Sequence, residues 1–358
     1  LKVVVCPEKR SGYKYLFNGG FSYLSTGNLK SFNVRLLQIF SFLLLIIVVQ
    51  SCADKAGSWK NEQINAGKRE DFHKLNDEAF KYIKANDPKG LQSLLCKELI
   101  DDSHTERLVE LISSRLNDDK YSMLDEYYVI NKYKDYDTIF SKGKDINSYS
   151  LNYPGITREM YITFFVPKTS ENKYMVSIAY AKYNYGWKIS TLDLEPYTIN
   201  GKTGPELFKL AKEQYSKHYL IDAVNNIALA LTCFKPSEIW QYPNEGEISV
   251  LNGKVINEAN ERYKFPFTLN QVTTKPQIIR IYNQINADGA YPVVYYLSKI
   301  NLKDTLAIRR ENEQIKKVIG KAMPGIDKDK KYVFYAAFNQ RPTGYKTVDH
   351  YDMTDKLP

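Results

Sequence analysis

The chain has 358 residues, 43% hydrophobic and 25% charged, enough for two or three domains and too apolar for general disorder. Its net charge of +9 invites a nucleic-acid partner, but Lys2, Lys9, Arg10, Lys14, Lys30 and Arg35 precede Cys52 against Glu8 alone, so only four of those nine charges fall on the remainder. There Lys and Asp/Glu are interspersed, with only short basic runs such as Lys328 to Lys331, and the basic stripe that phosphate binding needs is absent.

The first marked segment is RLLQIFSFLLLIIVVQSC, from Arg35 to Cys52. Arg35 is a positive flank, and Leu36 to Val49 is an apolar stretch that would reach about 21 Å as helix, short of a roughly 30 Å hydrocarbon core. A signal peptide fits better than a spanning helix. Val49-Gln50-Ser51-Cys52 resembles a lipobox: aliphatic Val49, the less usual Gln50, small Ser51, then Cys. The resemblance is to bacterial lipoprotein precursors. It implies recognition by a signal peptidase through Val49, Gln50 and Ser51, cleavage before Cys52, and a diacylglyceryl thioether on the Cys52 sulfur. Two or more acyl chains suffice for stable anchoring, so the resemblance places the mature domains outside the cytoplasm, held on a membrane of the cell envelope (the outer membrane if the cell has one). Residues 1–33, with Cys6, Gly19, Gly20 and Gly27 in no clear pattern, fit no such signal. They read as an over-extended start, with synthesis beginning near Val34, so that residues 1–51 are absent from the mature fold. Residues 52–68 read as a polar tether.

Phe72 to Ile100 has helical spacing at Phe72, Leu75, Phe80 and Ile83, a break at Asp87-Pro88, then Leu91, Leu94 and Leu95. Ser103-x-x-Glu106 reads as a capping box before a helix carrying Leu108, Leu111, Ile112 and Leu116. From Tyr121 the period becomes two. Met160, Ile162, Phe164 and Val166 alternate with Tyr161, Thr163 and Phe165, and Tyr174 to Tyr180 does likewise. Asn184-Tyr185-Gly186 turns the chain into Trp187-Lys188-Ile189. Helices followed by a run of antiparallel strands define an α+β class, with helices on one face of a bent sheet. The 29 Tyr of the chain suit such a sheet, where the ring packs and the hydroxyl finds a partner.

The broken opening helix and the sheet closing on Gly186-Trp187-Lys188-Ile189 resemble the NTF2-like (cystatin-like cone) superfamily over residues 71–198. That resemblance implies a cone-shaped pocket, a site that in the superfamily serves isomerases, dehydratases and non-catalytic binding modules alike, so it leaves the chemistry open. The domain is bounded here at 69–200.

Residues 201–243 begin with a second capping box, Thr203-x-x-Glu206, with Pro205 in the first turn. Leu207, Leu210, Ala211 and Tyr215 form one helix face, Ala223, Ile227, Ala230 and Leu231 another, and Pro236 ends the pair. The pair resembles one tetratricopeptide repeat, but no second copy follows at about 34 residues, so it reads as a helical hairpin. Residues 244–339 give a helix (Ile248, Leu251, Val255, Ala259), a hairpin about Ala287-Asp288-Gly289, a helix (Ile308, Ile315, Ile319, Ala322) ending at Pro324-Gly325, and a strand from Tyr332 to Phe338: a small α/β sandwich. Residues 340–358 read as a polar tail.

Chemistry is sparse. His73, His104, His218 and His350 have no metal-ligand spacing and no Cys pair nearby, so neither a metal nor another cofactor is expected. Gly201-Lys202-Thr203 mimics the end of a phosphate loop, but Pro196 stands where the loop's first glycine belongs. Cys96 and Cys233, both in apolar helical patterns, read as buried free thiols, with a disulfide between them the alternative in an oxidising compartment. Within a cone, Asp71, His73 and Asp193 are the candidate acids and bases, and Tyr127 and Tyr161 the candidate donors. The reading that follows is a lipid-anchored envelope protein, non-enzymatic, binding a small ligand, a peptide or a partner protein. Two alternatives stay open: an enzyme acting in the cone on a small apolar substrate, favoured by one deep acid in a dry pocket, and a structural subunit of an envelope complex, favoured by an apolar patch over Leu207 to Leu231.

Overall fold

The structure, a computed structural model, describes residues 55–141, 143–243, 245–286, 289–343 and 348–358. The signal segment, the lipobox and Cys52 lie outside these residues. The fold is α+β. A strongly curled six-stranded sheet runs in the order β1 (Gly57–Lys60), β2 (Tyr121–Ile130), β5 (Glu159–Pro167), β6 (Lys173–Tyr183), β7 (Gly186–Ile199) and β8 (Lys202–Thr203). From β2 to β8 its neighbours pair antiparallel. A second sheet joins β3 (Tyr136–Phe140), β4 (Ser150–Pro154) and β9 (Trp240–Gln241). A third joins β10 (Phe267–Thr268), β11 (Gln277–Asn286), β12 (Gly289–Leu297), β13 (Tyr332–Phe338) and β14 (His350–Lys356).

β5 is buried on both faces. Tyr161 and Phe165 face the helices α1 (Ala66–Lys84) and α4 (Thr105–Asp118), packing on Phe72, Ala79, Ile83, Val109 and Ile112. Met160, Ile162 and Phe164 face the other way. There they meet β3 and β4, the helix pair α5 (Gly204–Ser216) and α6 (Leu220–Cys233), and Trp240. The curled sheet is therefore the middle of three layers. Trp240 is almost wholly buried, stacks on Tyr149 at 3.4 Å between centroids and meets Phe164 edge-on. Each large side chain so buried contributes about 1.5 to 3 kcal/mol.

Several expectations change. Residues 57–68 are not a tether: they hold β1, whose Trp59 stacks on Tyr128, and Asn65, whose Oδ1 caps α1 by accepting from the Gly67 N–H at 3.1 Å. After α1 come two short helices, α2 (Pro88–Leu91) and α3 (Lys97–Asp101), rather than one helix continuing to Ile100. The Ser103–Glu106 box does not form. The N-cap is His104, without a side-chain cap, and Asp102 makes a turn ahead of the helix, its Oδ1 accepting from the His104 N–H at 2.9 Å. The second box does form: Thr203 N–H donates to Glu206 Oε2 at 2.9 Å. The helix pair is not separate from what precedes it, because β9 pairs with β4 across the expected boundary at residue 200. Residues 350–356 are not a loose tail but an edge strand paired antiparallel with β13.

The C-terminal sheet carries α8 (Thr305–Ala322), while α7 (Glu245–Arg262) packs on α6 and buries Ile248 and Val255 in the core of the helix pair. β12 and β13 run parallel with α8 as the crossover, and Ile308, Ile315 and Ile319 of α8 are fully buried with Val294, Tyr296 and Tyr335. Ser58–Pro358 packs as one compact unit.

Candidate functional site

Between the curled sheet and α1 lies the place where a cone pocket is expected. It is occupied by rings: Phe72 stacks on Tyr161 at 4.2 Å, Tyr161 on Tyr180 at 5.7 Å, and Trp187 closes edge-on against Phe72. At one end sits Glu126, on β2 and fully buried. Its carboxylate accepts from Arg69 Nε, from Tyr161 OH at 2.8 Å, and from His73 Nε2 at 3.1 and 3.2 Å to its two oxygens, so that this ring nitrogen carries the proton. Asn76 Nδ2 in turn donates to Tyr161 OH at 2.9 Å. Burial pushes the Tyr161 phenol far above its ordinary value, helped by the adjacent Glu126 charge. Glu126 is the residue that sequence reasoning missed. Nothing in the local sequence marked its partners, because Arg69 and His73 lie 57 and 53 residues earlier and Tyr161 lies 35 residues later.

The candidate residues separate. His73 and Tyr161 meet at Glu126. Asp71 is on the outer side of α1, its side chain 77% exposed and paired with Lys74 at 3.6 Å. Tyr127 and Asp193 lie on neither side of that cluster. Tyr127 packs in the opposite layer and shares a 2.8 Å hydroxyl contact with Tyr149. Tyr149 donates on to Asp125, which pairs with Lys60 at 2.9 Å. Asp193, on β7, accepts from Ser237 Oγ at 3.2 Å. Burial, reinforced by Glu238, pushes its carboxyl up to about 6.

An open polar cleft of about 310 Å³ lies where the β7–β8 turn, the helix pair and the start of β12 converge. Its walls include Asn200, Lys202, Gln214, Asn225, Asn226 and Asn283, with Leu207, Leu210, Tyr291 and Pro292 among the apolar lining. Two ion pairs brace it, Lys330 with Asp222 at 3.1 Å and Lys331 with Glu171 at 3.2 Å. Lys330 spends its remaining donors on the Gly325 and Lys328 carbonyls, both at 2.6 Å, so it is a strut. Asn226 is likewise fixed, donating to Gln214 Oε1 at 2.8 Å. Asn225 differs: it is only 8% exposed, and its Nδ2 has no hydrogen-bond partner. An amide buried without a partner costs about 1 to 3 kcal/mol.

Cys96 and Cys233 are buried free thiols, which burial pushes up to about 11 and about 12. Neither is a nucleophile at neutral pH. Among the described residues no group of three or more His, Cys, Asp or Glu side chains could hold a metal ion, and no helix is long and apolar enough to cross a membrane. No family model, no curated protein and no solved structure matches this chain.

Proposed function

We propose that this chain is the precursor of a bacterial lipoprotein, acylated on Cys52, whose folded region is a non-catalytic module binding a small polar ligand in the cleft beside Asn225. The single observation that carries the binding reading is the unpartnered, nine-tenths buried Asn225 amide in the wall of a cleft of about 310 Å³, a size at the lower end of small-molecule sites. Asn, Gln and Lys side chains supply donors and acceptors there, and a ligand rich in both would satisfy them.

The enzymatic alternative has less support. The NTF2-like reading puts the acid in the cone, and the acid there, Glu126, already serves Arg69, His73 and Tyr161. A general base needs a free lone pair within reach of substrate. The scaffold alternative wants an apolar patch on the helix pair, whereas Leu207, Ala223, Ile227 and Ala230 are buried in the protein's own core. Anchoring rests on the sequence from Arg35 to Cys52.

The test is extraction of the native protein from envelope membranes, with an intact mass and then mass analysis of the small molecules released on denaturation. An acylated mass beginning at Cys52, absent in Cys52→Ala, supports the anchor. A released compound that is lost in Asn225→Leu supports the cleft. An unacylated chain sinks the first half of the proposal, and an identical release profile from both proteins sinks the second.

A further inference from the structure

Exposed apolar side chains are concentrated in one place. Tyr133 (70% exposed), Tyr136 (61%), Phe140 (70%) and Ile146 (42%) fall within one short segment, four of the eleven such residues among the described ones. Tyr136, Thr138 and Phe140 point to the same side of β3 by the two-residue period, while Ile139 points the other way into the core. The strand is an edge: β3 pairs with β4 alone. Exposed Lys132 and Lys144 flank it, and the Lys132 ammonium stands 5.1 Å from the Tyr133 ring.

The same strand lies beside the start of the folded chain. Ser58 and Lys60 of β1 line one cleft, of about 250 Å³, together with Ile139, Phe140 and Ser141. The six residues from Cys52 to Ser58 can span at most about 21 Å. An acyl group on Cys52 therefore holds Phe140 close to the bilayer surface. Tyr with its amphipathic ring is a side chain of the membrane–water boundary, and Lys beside it suits lipid phosphates.

We infer that the exposed face of β3, with Tyr133, Tyr136, Phe140 and Ile146, rests in the headgroup region of the membrane to which Cys52 is tethered. The inference builds on the acylation of Cys52 proposed above. It makes the lipid one of two contacts and fixes which side of the protein faces the bilayer. A short tether alone would leave the domain free to tumble.

The experiment uses the full native protein, extracted and reconstituted in vesicles of phosphatidylethanolamine and phosphatidylglycerol, with acylation checked by intact mass. A nitroxide is attached at Thr138→Cys and, as a distant exposed reference, at Val250→Cys, and its collisions with a water-soluble nickel chelate and with oxygen are measured. The expected result is a severalfold drop in nickel collisions at 138 on reconstitution, none at 250, and recovery at 138 in the Tyr136→Ser/Phe140→Ser variant. Both replaced side chains are exposed, and an unchanged thermal melt verifies that the variant folds. Acylated protein with a water-exposed label at 138 overturns the inference and leaves the anchor standing. Shielding at 138 that is already present in unacylated Cys52→Ala protein without lipid or detergent also overturns it, since another copy of the chain then covers the strand. A mass without acyl chains removes the anchor, and the inference falls with it.

Discussion

The side-chain amide of Asn200 makes both hydrogen bonds of a strand pair with the backbone of Ala290. Oδ1 accepts from the Ala290 N–H at 2.6 Å, and Nδ2 donates to its carbonyl at 2.9 Å. Asn200 and Gly201 form the turn between β7 and β8, with φ of 53° and 68°, the left-handed pair that favours Asn-Gly in a two-residue hairpin. The Asn200 N–H donates to Asn172 Oδ1 at 2.9 Å, and Asn172 Nδ2 donates to the Asn286 carbonyl at 3.0 Å. One tight turn thereby clasps the curled sheet to the C-terminal hairpin and shapes one wall of the Asn225 cleft.

Asn200→Ala loses two hydrogen bonds of about 0.5 to 1.5 kcal/mol each and puts Ala in the left-handed region at about 1 to 2 kcal/mol. We expect a total of about 2 to 5 kcal/mol in urea unfolding. A loss below about 1 kcal/mol would mean that the clasp adds nothing to burial.

Glu126→Leu strands Arg69, His73 and Tyr161 without their common acceptor. Breaking a buried pair costs about 3 to 5 kcal/mol. Arg69 is 30% exposed and can turn to water, so we expect the lower end, about 3 kcal/mol. Glu126→Gln, which keeps the shape and one acceptor, should lose less than Glu126→Leu by the same unfolding measurement. Equal losses from the two would show that volume, rather than the polar network, sets the stability here.

Much of the fold was legible, and the exceptions share a cause. The hairpin at Gly186, the Thr203–Glu206 box and the helices about Ile248 and Ile308 are set by residues close in sequence, where period and capping speak directly. The Glu126 cluster was half legible: His73 and Tyr161 were named, but their acceptor is brought to them by pairing over long separations. β9 was missed because two residues, Trp240 and Gln241, carry no period. β14 was missed because HYDMTDK alternates half-buried with exposed positions and has little apolar content. Its strand character comes from the neighbour β13, which offers an unpaired edge. The cleft is a meeting of three distant segments, and an unpartnered amide such as that of Asn225 leaves no sequence signal.

Asp193 gives a pH dependence. Its folded carboxyl sits near 6 against an ordinary 3.8, so the folded chain holds this proton more tightly than the unfolded chain does. The stabilisation is fully present below about pH 4 and is lost as pH rises through about 6, a change of about 1 to 3 kcal/mol. Asp193→Asn should abolish that slope and leave the variant more stable than wild type at neutral pH. Urea midpoints measured across this range decide it, and a wild-type slope retained in the variant would assign the effect to another group.

Asn225→Leu separates stability from binding. Asn225 lies on α6 and is buried, and its Nδ2 has no hydrogen-bond partner. Replacing a buried unsatisfied amide by an apolar side chain of similar volume should raise stability by about 1 kcal/mol. Leu also has the better helix propensity. If the cleft takes a polar ligand, wild-type protein carrying its co-purified compound should melt higher than stripped wild type, because ligand bound only to the folded state adds stability. The variant should melt at one temperature whether stripped or not, and that temperature should exceed that of stripped wild type. A variant less stable than stripped wild type would mean that water or a neighbouring group already satisfies the amide, and Asn225 would then be a structural residue of α6 rather than a ligand contact.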